Sequence, residues 1–288
     1  MRDIILLIRP WHWIKNLFIF LPLFFALQLY HFPVLAKAGL AFILFCLLAS
    51  SVYIFNDYID RDLDKLNPWK KMRPLASGRV SVQKALILFA AMLATGLIGT
   101  WLFCIKMFYL ALLYLVLNIL YTIKLKHVVI IDVVIIAVGF VIRIFIGGVV
   151  TEIIISPWIV VMTFLLTLFL AMGKRREHVL LFLKDDDESQ KSIDGYNLTF
   201  IDSCMIILAA IIIASYITYT LSIEIAAQFK TDHLYLTAFF VILGIMRYLQ
   251  IVMVKRNYSD PTGILISDHF IQLCVFGWIA AFFLLIYI

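Results

Sequence analysis

The sequence predicts an all-α integral membrane protein with about nine transmembrane helices, and its composition and its pattern of apolar runs both support this prediction. Of its 288 residues, 64% are hydrophobic and 15% are charged, and the mean hydropathy is +1.04. A soluble domain is typically about 45–50% apolar and about 25% charged. This chain therefore has too few polar residues to cover a water-soluble fold, and its apolar residues form runs close to the roughly 20 residues that span a bilayer.

Nine such apolar runs occur between clusters of charged or turn-forming residues. They cover residues 15–30, 34–55, 82–104, 107–123, 128–150, 157–173, 199–222, 234–254 and 268–287. The first run lacks a small-residue cleavage site and precedes eight more runs, so we expect a retained helix and not a signal peptide. We expect residues 1–288 to form a single transmembrane domain.

The distribution of basic residues predicts the orientation of these helices. With the N-terminus in the cytoplasm, nineteen of the 24 Lys and Arg residues fall in cytoplasmic segments and three fall on the opposite side. Because cytoplasmic loops are enriched in Lys and Arg, we expect a cytoplasmic N-terminus. The cytoplasmic loops are then residues 56–81, 123–128 and 174–198. This topology also explains the net charge of +6, so we expect no nucleic-acid partner.

An acidic segment follows the second predicted helix. If that helix continues at about 100° per residue, four oxygen-bearing side chains share one face, namely Asn56, Asp57, Asp60 and Asp64. Asp62 points to the opposite side. Carboxylates at spacings of three and four residues repel one another, and Mg²⁺, which prefers oxygen ligands, relieves that repulsion. We therefore predict a catalytic centre formed by the four residues, in which the three aspartates bind Mg²⁺; the alternative is a solvated acidic helix end.

Further motifs accompany the aspartates. The acidic run is followed by Pro68 and by Arg73-Pro74-Leu75-x-x-Gly78-x-x-Ser81. Later segments read Tyr121-x-x-x-Leu125-Lys126, Asp132-Val133 and Gly139-Phe140-x-x-Arg143-x-x-x-Gly147-Gly148. In this order the motifs resemble the UbiA superfamily of intramembrane prenyltransferases. The resemblance implies nine helices around a central cavity that opens laterally to lipid, with Mg²⁺-bound diphosphate chemistry at the cytoplasmic side.

The end of the sixth predicted helix separates the branches of that superfamily. Aromatic prenyltransferases of the family carry a second aspartate motif there for a second metal ion. This chain has Gly173-Lys174-Arg175-Arg176-Glu177 instead, and Lys and Arg suit phosphate but cannot hold Mg²⁺. The alternative role of this run is a topological anchor. Together with Arg9-Pro10-x-x-Trp13-x-Lys15-Asn16 and Asp260-Pro261-Thr262, the run resembles the decaprenyl-phosphate phosphoribosyltransferase branch.

That branch transfers a 5-phosphoribosyl group from 5-phosphoribosyl diphosphate to a polyprenyl phosphate and releases diphosphate. The resemblance implies the same substrates here, at the inner (plasma) membrane of the cell; the sequence leaves a homo-oligomer open. Several phosphates then need cationic or polar partners. The candidate substrate-binding residues are Lys15, Asn16, Lys71, Arg73, Tyr121, Lys124, Lys126, Arg143, Lys174 and Arg175.

Two other functions remain open at this point. An aromatic prenyltransferase would bind a prenyl diphosphate at the aspartates and would use Asp185-Asp186-Asp187-Glu188 for a second metal ion. A transporter for an anionic solute would use the intramembrane Arg143 in its pathway, but it leaves the one-faced aspartates unexplained. We expect Arg143 to line a cavity, and the alternative is an ion pair between helices.

Overall fold

The computed structural model describes residues 2–67, 70–182, 195–254 and 261–287, and these residues are almost entirely helical. The α-helices are α1 Arg2–Ile8, α2 Leu21–Phe25, α3 Phe32–Ile59, α4 Arg61–Leu66, α5 Val82–Phe103, α6 Ile105–Ile123, α7 Ile131–Thr151, α8 Pro157–Phe182, α9 Leu198–Leu221, α10 Ile223–Phe229, α11 Ala238–Met253, α12 Pro261–Ser267 and α13 His269–Tyr287. The 3₁₀ segments are Pro10–Phe20, Leu125–His127 and Leu234–Thr237.

Nine helical stretches within these described ranges are long and apolar enough to cross a membrane. They are Arg2–Phe25, Phe32–Ile59, Val82–Phe103, Ile105–Ile123, Ile131–Thr151, Pro157–Leu180, Leu198–Leu221, Leu234–Met253 and His269–Ile286. The predicted all-α, multi-pass membrane fold is therefore confirmed.

Several helices extend beyond the apolar runs that predicted them. The first spanning stretch begins at Arg2 and not at residue 15, and α3 continues past residue 55 to Ile59. At the C-terminal end of a helix the largest difference is in α8, which is predicted to end at residue 173 and continues to Phe182. Lys, Arg and Glu are good helix formers, so a charged run marks where the chain leaves the hydrocarbon and not where the helix ends.

The chain divides into two compact units, Met1–Val160 and Val161–Ile288. In the first unit, Phe45 and Leu48 of α3 pack with Tyr114 of α6 and with Ile142 and Ile146 of α7, and all five are buried. These three helices form the framework on which the acidic segment and the N-terminal 3₁₀ segment are held. That the whole chain is one domain stays a prediction.

The second unit contains a buried polar contact between α9, the 3₁₀ segment that precedes α11, and α13. The Tyr216 hydroxyl lies 2.7 Å from the Thr237 hydroxyl, and the Trp278 indole nitrogen donates to Tyr216 at 2.6 Å. Because buried polar groups are costly when they are left unpaired, this contact fixes how the three segments pack.

Candidate active site

Three aspartates gather where α3 ends and α4 begins. The side chains of Asp57 and Asp64 are 1% and 4% exposed, and that of Asp60 is 16% exposed. Asp62 is different, because 72% of its side chain is exposed. The expectation that Asp62 points away from the other three is confirmed.

The expectation of one continuous helix through these residues is wrong. The helix α3 ends at Ile59 and α4 begins at Arg61, with Asp60 between them at a ψ angle of 0°. Carboxylates stacked on a regular helix repel one another. At the break, the aspartates turn toward cations from other segments, which relieves that repulsion.

Two arginines bind the buried Asp57. Arg9 Nη2 donates to Asp57 Oδ1 at 2.7 Å, and Arg73 Nη1 donates to the same oxygen at 3.0 Å. The same Arg73 nitrogen lies 2.8 Å from Asp64 Oδ2. One guanidinium nitrogen therefore bridges two carboxylates that would otherwise repel each other in a poorly solvated place.

The position of Arg73 is set by the turn that follows it. Leu75 and Val80 are buried in a small core with Leu7 of α1 and Ile54 of α3. Between them, Gly78 has a φ of +74°, a conformation that glycine adopts without steric cost. The apolar anchors on the turn hold the Arg73 backbone beside the end of α3.

A second segment reaches the aspartates from the end of α6. Lys126, on the 3₁₀ turn Leu125–His127, donates to Asp60 Oδ1 at 2.5 Å. Thr122 Oγ1 donates to Asn56 Oδ1 at 3.3 Å. The structure thus brings the predicted loop 123–128 to the acidic cluster and joins Lys126 to one of its members.

One oxygen of Asp57 is left open. Asp57 Oδ2 is buried and has no hydrogen-bond partner among the described residues, although such groups are nearly always paired. Mg²⁺ prefers carboxylate oxygens, so the donor set and this open oxygen fit the ion. In the part of the chain that the structure describes, no three His, Cys, Asp or Glu side chains are grouped closely enough to hold a metal.

Burial changes the pKa of two groups in this cluster. It raises the pKa of Asp64 above its usual range, although the guanidinium of Arg73 opposes the shift. It also lowers the pKa of Lys70, and the nearby Arg73 lowers it further. Both groups therefore carry their charge at a cost, and an added counter-charge would reduce that cost.

Arg143 occupies a different environment, deep in α7. It is 4% exposed, its Nε donates to Asn16 Oδ1 at 2.8 Å, and its Nη1 donates to the Gly139 carbonyl oxygen at 2.6 Å. The guanidinium carbon lies 4.9, 5.1 and 5.2 Å from the ring centres of Phe45, Tyr114 and Phe140. Its partners among the described residues are neutral and its side chain is buried, so this part of the chain shows neither a cavity-lining Arg143 nor the alternative ion pair.

Arg143 is also far from the aspartates along the molecule. The ring of Phe45 that it faces lies twelve residues before Asp57 on α3, which is roughly 18 Å at 1.5 Å per residue. The structure therefore does not bring this candidate to the acidic cluster, and a substrate contact by Arg143 stays a prediction.

In the second unit, the basic run at the end of α8 separates into three environments. Lys174 is exposed, and the guanidinium of the half-buried Arg175 lies 5.2 Å from the ring centre of Tyr196. Arg176 is 5% exposed, and its Nε donates to Asp202 Oδ1 at 2.6 Å, with Nη1 donating to the Val252 carbonyl oxygen at 2.7 Å. The role of Arg176 is to join α8 to α9 and α11.

The other candidate substrate-binding residues lie at the surface or half-buried. Lys71 and Lys124 are exposed, and Lys15 and Tyr121 are half-buried. Their role in substrate binding stays a prediction. The acidic run 185–188, considered for a second metal, lies outside the described residues.

Sequence reasoning missed Arg9 and Thr122 as members of the acidic cluster. Arg9 was noted only as part of a motif, and the 48 residues between it and Asp57 conceal their contact. The available signal was numerical: several carboxylates that share one buried face need a similar number of cations. Arg9 lies shortly before the first predicted span and was therefore a candidate for one of these cations.

Comparisons with known proteins agree with this picture. The family model described as "UbiA prenyltransferase family" matches residues 16–263. The chain is 27% identical to the decaprenyl-phosphate phosphoribosyltransferase of Mycolicibacterium smegmatis, over 94% of this chain and 88% of the relative. It is 26% identical to the protein of the same name from Corynebacterium glutamicum, over 98% of this chain and 86% of the relative.

The fold is also similar to solved structures. A UbiA homolog from Archaeoglobus fulgidus bound to DMAPP and Mg²⁺ matches with a TM-score of 0.69 and 19% identity, over 99% of both chains. At that identity the similarity concerns the fold alone. The proteins named here are not transporters, so the comparisons give the transport hypothesis no support.

Proposed function

Because the chain belongs to the UbiA prenyltransferase family, we propose that it transfers a 5-phosphoribosyl group from 5-phosphoribosyl diphosphate to a polyprenyl phosphate. Diphosphate is the second product. The chain is a multi-pass membrane protein of an enzyme family, and we place its reaction at the cytoplasmic face of the inner membrane. Relatives with this activity in their names match nearly the whole chain, which supports the proposal.

The observation that carries the choice of donor is the cationic end of α8. By its resemblance to the family, this chain has Lys174 and Arg175 at the positions where aromatic prenyltransferases carry metal-binding aspartates. Lys174 is exposed and Arg175 is half-buried, so both can reach a ligand at the surface of their unit. A planar guanidinium beside an ammonium suits a phosphate group and not a second Mg²⁺.

The reaction needs no protein nucleophile. The polyprenyl phosphate is already an anion at neutral pH, and one of its oxygens forms the new bond to the anomeric carbon of ribose. The bond from that carbon to the diphosphate oxygen breaks, and its electron pair leaves with diphosphate. No Ser, Cys or His side chain has to form a covalent intermediate.

Asp57, Asp60 and Asp64 are the residues that would hold Mg²⁺, with Asn56 beside them. When bound there, the ion supplies positive charge to a leaving diphosphate. Arg9, Arg73 and Lys126 now balance the charge of the three carboxylates. Cations already placed at this point also suit a site that must receive diphosphate.

The remaining substrate phosphates are assigned to side chains that solvent or lipid can reach. The proposed contacts are Lys15, Lys71, Arg73, Tyr121, Lys124, Lys126, Lys174 and Arg175. Asn16 and Arg143 were predicted with them, but each is buried and bonded to the other.

The test is an assay of the purified protein with radiolabelled 5-phosphoribosyl diphosphate and a polyprenyl phosphate, with and without Mg²⁺. We expect label to enter the lipid phase only with Mg²⁺ and with the lipid acceptor present. A parallel reaction offers a prenyl diphosphate and an aromatic acid. Prenylation of the acid without phosphoribosyl transfer would replace the proposal with an aromatic prenyltransferase.

A further inference from the structure

The N-terminal 3₁₀ segment, Pro10–Phe20, is eleven residues long, whereas 3₁₀ runs longer than three or four residues are uncommon. Residues three apart eclipse each other in a 3₁₀ helix. Trp13, Asn16 and Ile19 therefore lie on a single stripe. On an α-helix the same residues would drift around the axis by about 60° at each step.

This stripe is bonded in register to α3. Trp13 Nε1 donates to Ser50 Oγ at 3.0 Å, and Asn16 Nδ2 donates to Cys46 Sγ at 3.1 Å. Three residues of a 3₁₀ helix rise about 6 Å, and four residues of an α-helix also rise about 6 Å. The two repeats match, so the segment and α3 run antiparallel with their contacts aligned.

The helix α7 holds the segment from another side. At Gly147, an added Cβ would lie 2.1 Å from the Ile19 carbonyl oxygen, so the backbones approach at a distance that only glycine allows. One turn away, Arg143 donates to Asn16 Oδ1 at 2.8 Å. The guanidinium is itself held by the Gly139 carbonyl oxygen and by aromatic rings.

The result of this register is seen at the start of the segment. Arg9 precedes it in a left-handed conformation, with φ 56° and ψ 60°. Such a conformation in a residue other than glycine persists only where its surroundings hold it. Here the backbone turn directs the Arg9 side chain to Asp57 Oδ1, 2.7 Å away.

We infer that Arg143 and Gly147 are positioning residues that fix the register of the 3₁₀ segment against α3 and thereby place the Arg9 guanidinium on Asp57. Arg143 acts from roughly 18 Å away, the rise of the twelve α3 residues from Phe45 to Asp57, through Asn16 and not through a substrate phosphate. Its burial and its neutral partners support this role. The inference deepens the proposed function and depends on it only for the kinetic test.

A cross-linking experiment tests the register without substrate. Asn16→Cys places a thiol next to the native Cys46, in a chain whose other three cysteines are replaced by alanine. We expect oxidation to join the two thiols, which protects both from a maleimide that shifts mobility on a gel. Adding Gly147→Ala should lower the yield several-fold, because the new Cβ displaces the segment at Ile19. The matched control is Gly39→Ala on α3, where an added Cβ meets nothing within 4 Å; equal yields in the two backgrounds would overturn the inference.

A kinetic cycle tests whether the effect passes through Arg9, and it does not depend on Gly147→Ala being folded. Arg143→Gln should lower kcat/KM for phosphoribosyl transfer by about tenfold or more, as small misplacements at a site do. In the double variant with Arg9→Gln, the loss should be no greater than in Arg9→Gln alone, within about a factor of two. Multiplicative losses would mean that Arg143 acts independently of Arg9 and would overturn the inference.

Arg143→Lys separates the positioning role from a phosphate contact. The ammonium keeps the charge but loses the planar fork that reaches Asn16 and Gly139 together. We expect Arg143→Lys to behave as Arg143→Gln does. If Arg143→Lys kept the wild-type KM for the phosphoribosyl donor while Arg143→Gln did not, Arg143 would be a substrate-binding residue and the positioning role would be wrong. A wild-type protein that transfers no phosphoribosyl group would refute the proposed function, and the cross-linking result would still decide this inference.

Discussion

The carboxylate cluster of the first unit and the basic end of α8 in the second unit are both short charged motifs, but their residues are used differently. In the first, Asp57, Asp60 and Asp64 each bind a cation from another segment, and one buried oxygen stays open. In the second, Arg176 is paired internally while its neighbour Lys174 is exposed. Similar charges in one motif therefore do not have equivalent roles.

Helical spacing explains most of this difference. Consecutive residues on a helix point about 100° apart, so Lys174, Arg175 and Arg176 face three directions and meet three environments. The aspartates are spaced by three and four residues and face one side even though the helix breaks at Asp60. Spacing is a better guide than proximity in sequence to which charged groups act together.

The largest effect is expected at the open carboxylate. Asp57→Asn keeps the shape of the side chain but removes the charge that Arg9, Arg73 and a bound metal would share. In the phosphoribosyl transfer assay we expect turnover to fall by about a thousandfold or more, which corresponds to the several kcal/mol that a bound metal ion supplies to a transition state. Asp62→Asn is the matched control on the same segment. If Asp57→Asn retained a tenth of wild-type turnover, the cluster would not be the catalytic centre.

The next largest effect concerns stability in the second unit. Arg176→Met removes the buried partner of the Arg176–Asp202 ion pair, and because 31% of the Asp202 side chain is exposed, the cost stays below the roughly 3–5 kcal/mol that is typical of a fully buried pair. We expect a lower thermal midpoint in detergent, measured by fluorescence-detected chromatography. Lys174→Met, two residues earlier and exposed, should change the midpoint little. Equal midpoints for the two variants would contradict the separation of their roles.

A smaller and more specific effect is expected at Arg175. If it binds a substrate phosphate in the ground and transition states alike, Arg175→Ala should raise KM about tenfold and leave kcat nearly unchanged. Arg175→Glu should raise KM further, because an added anion repels phosphate. Cysteine accessibility of loop 174–198 provides the control. Wild-type kinetics with an altered topology would identify Arg175 as an anchor.

The parts of the molecule that follow from local pattern were predictable, and the parts that depend on distant partners were not. The nine spans follow from hydropathy, and the outward direction of Asp62 follows from helical spacing. The break at Asp60 and the extension of α8 depend on side-chain pairing and helix propensity, which hydropathy does not record. The contact of Arg9 with Asp57 depends on a long 3₁₀ segment, and the sequence gives no direct signal for that winding.

The smallest effect is expected at Asp62, and it concerns pH. Arg61 and Lys65 donate hydrogen bonds to this exposed carboxylate and lower its pKa to about 2. A lowered pKa in the folded state adds stability that is fully present above the unfolded pKa, near 4; this stability declines as the pH falls from there and is lost as the pH falls through the folded pKa of about 2. The thermal midpoints of Asp62→Asn and wild type should therefore differ by the same small amount at each pH from about 8 to about 5. A difference that changed within that range would show that Asp62 titrates there, and it would contradict the lowered pKa of this carboxylate.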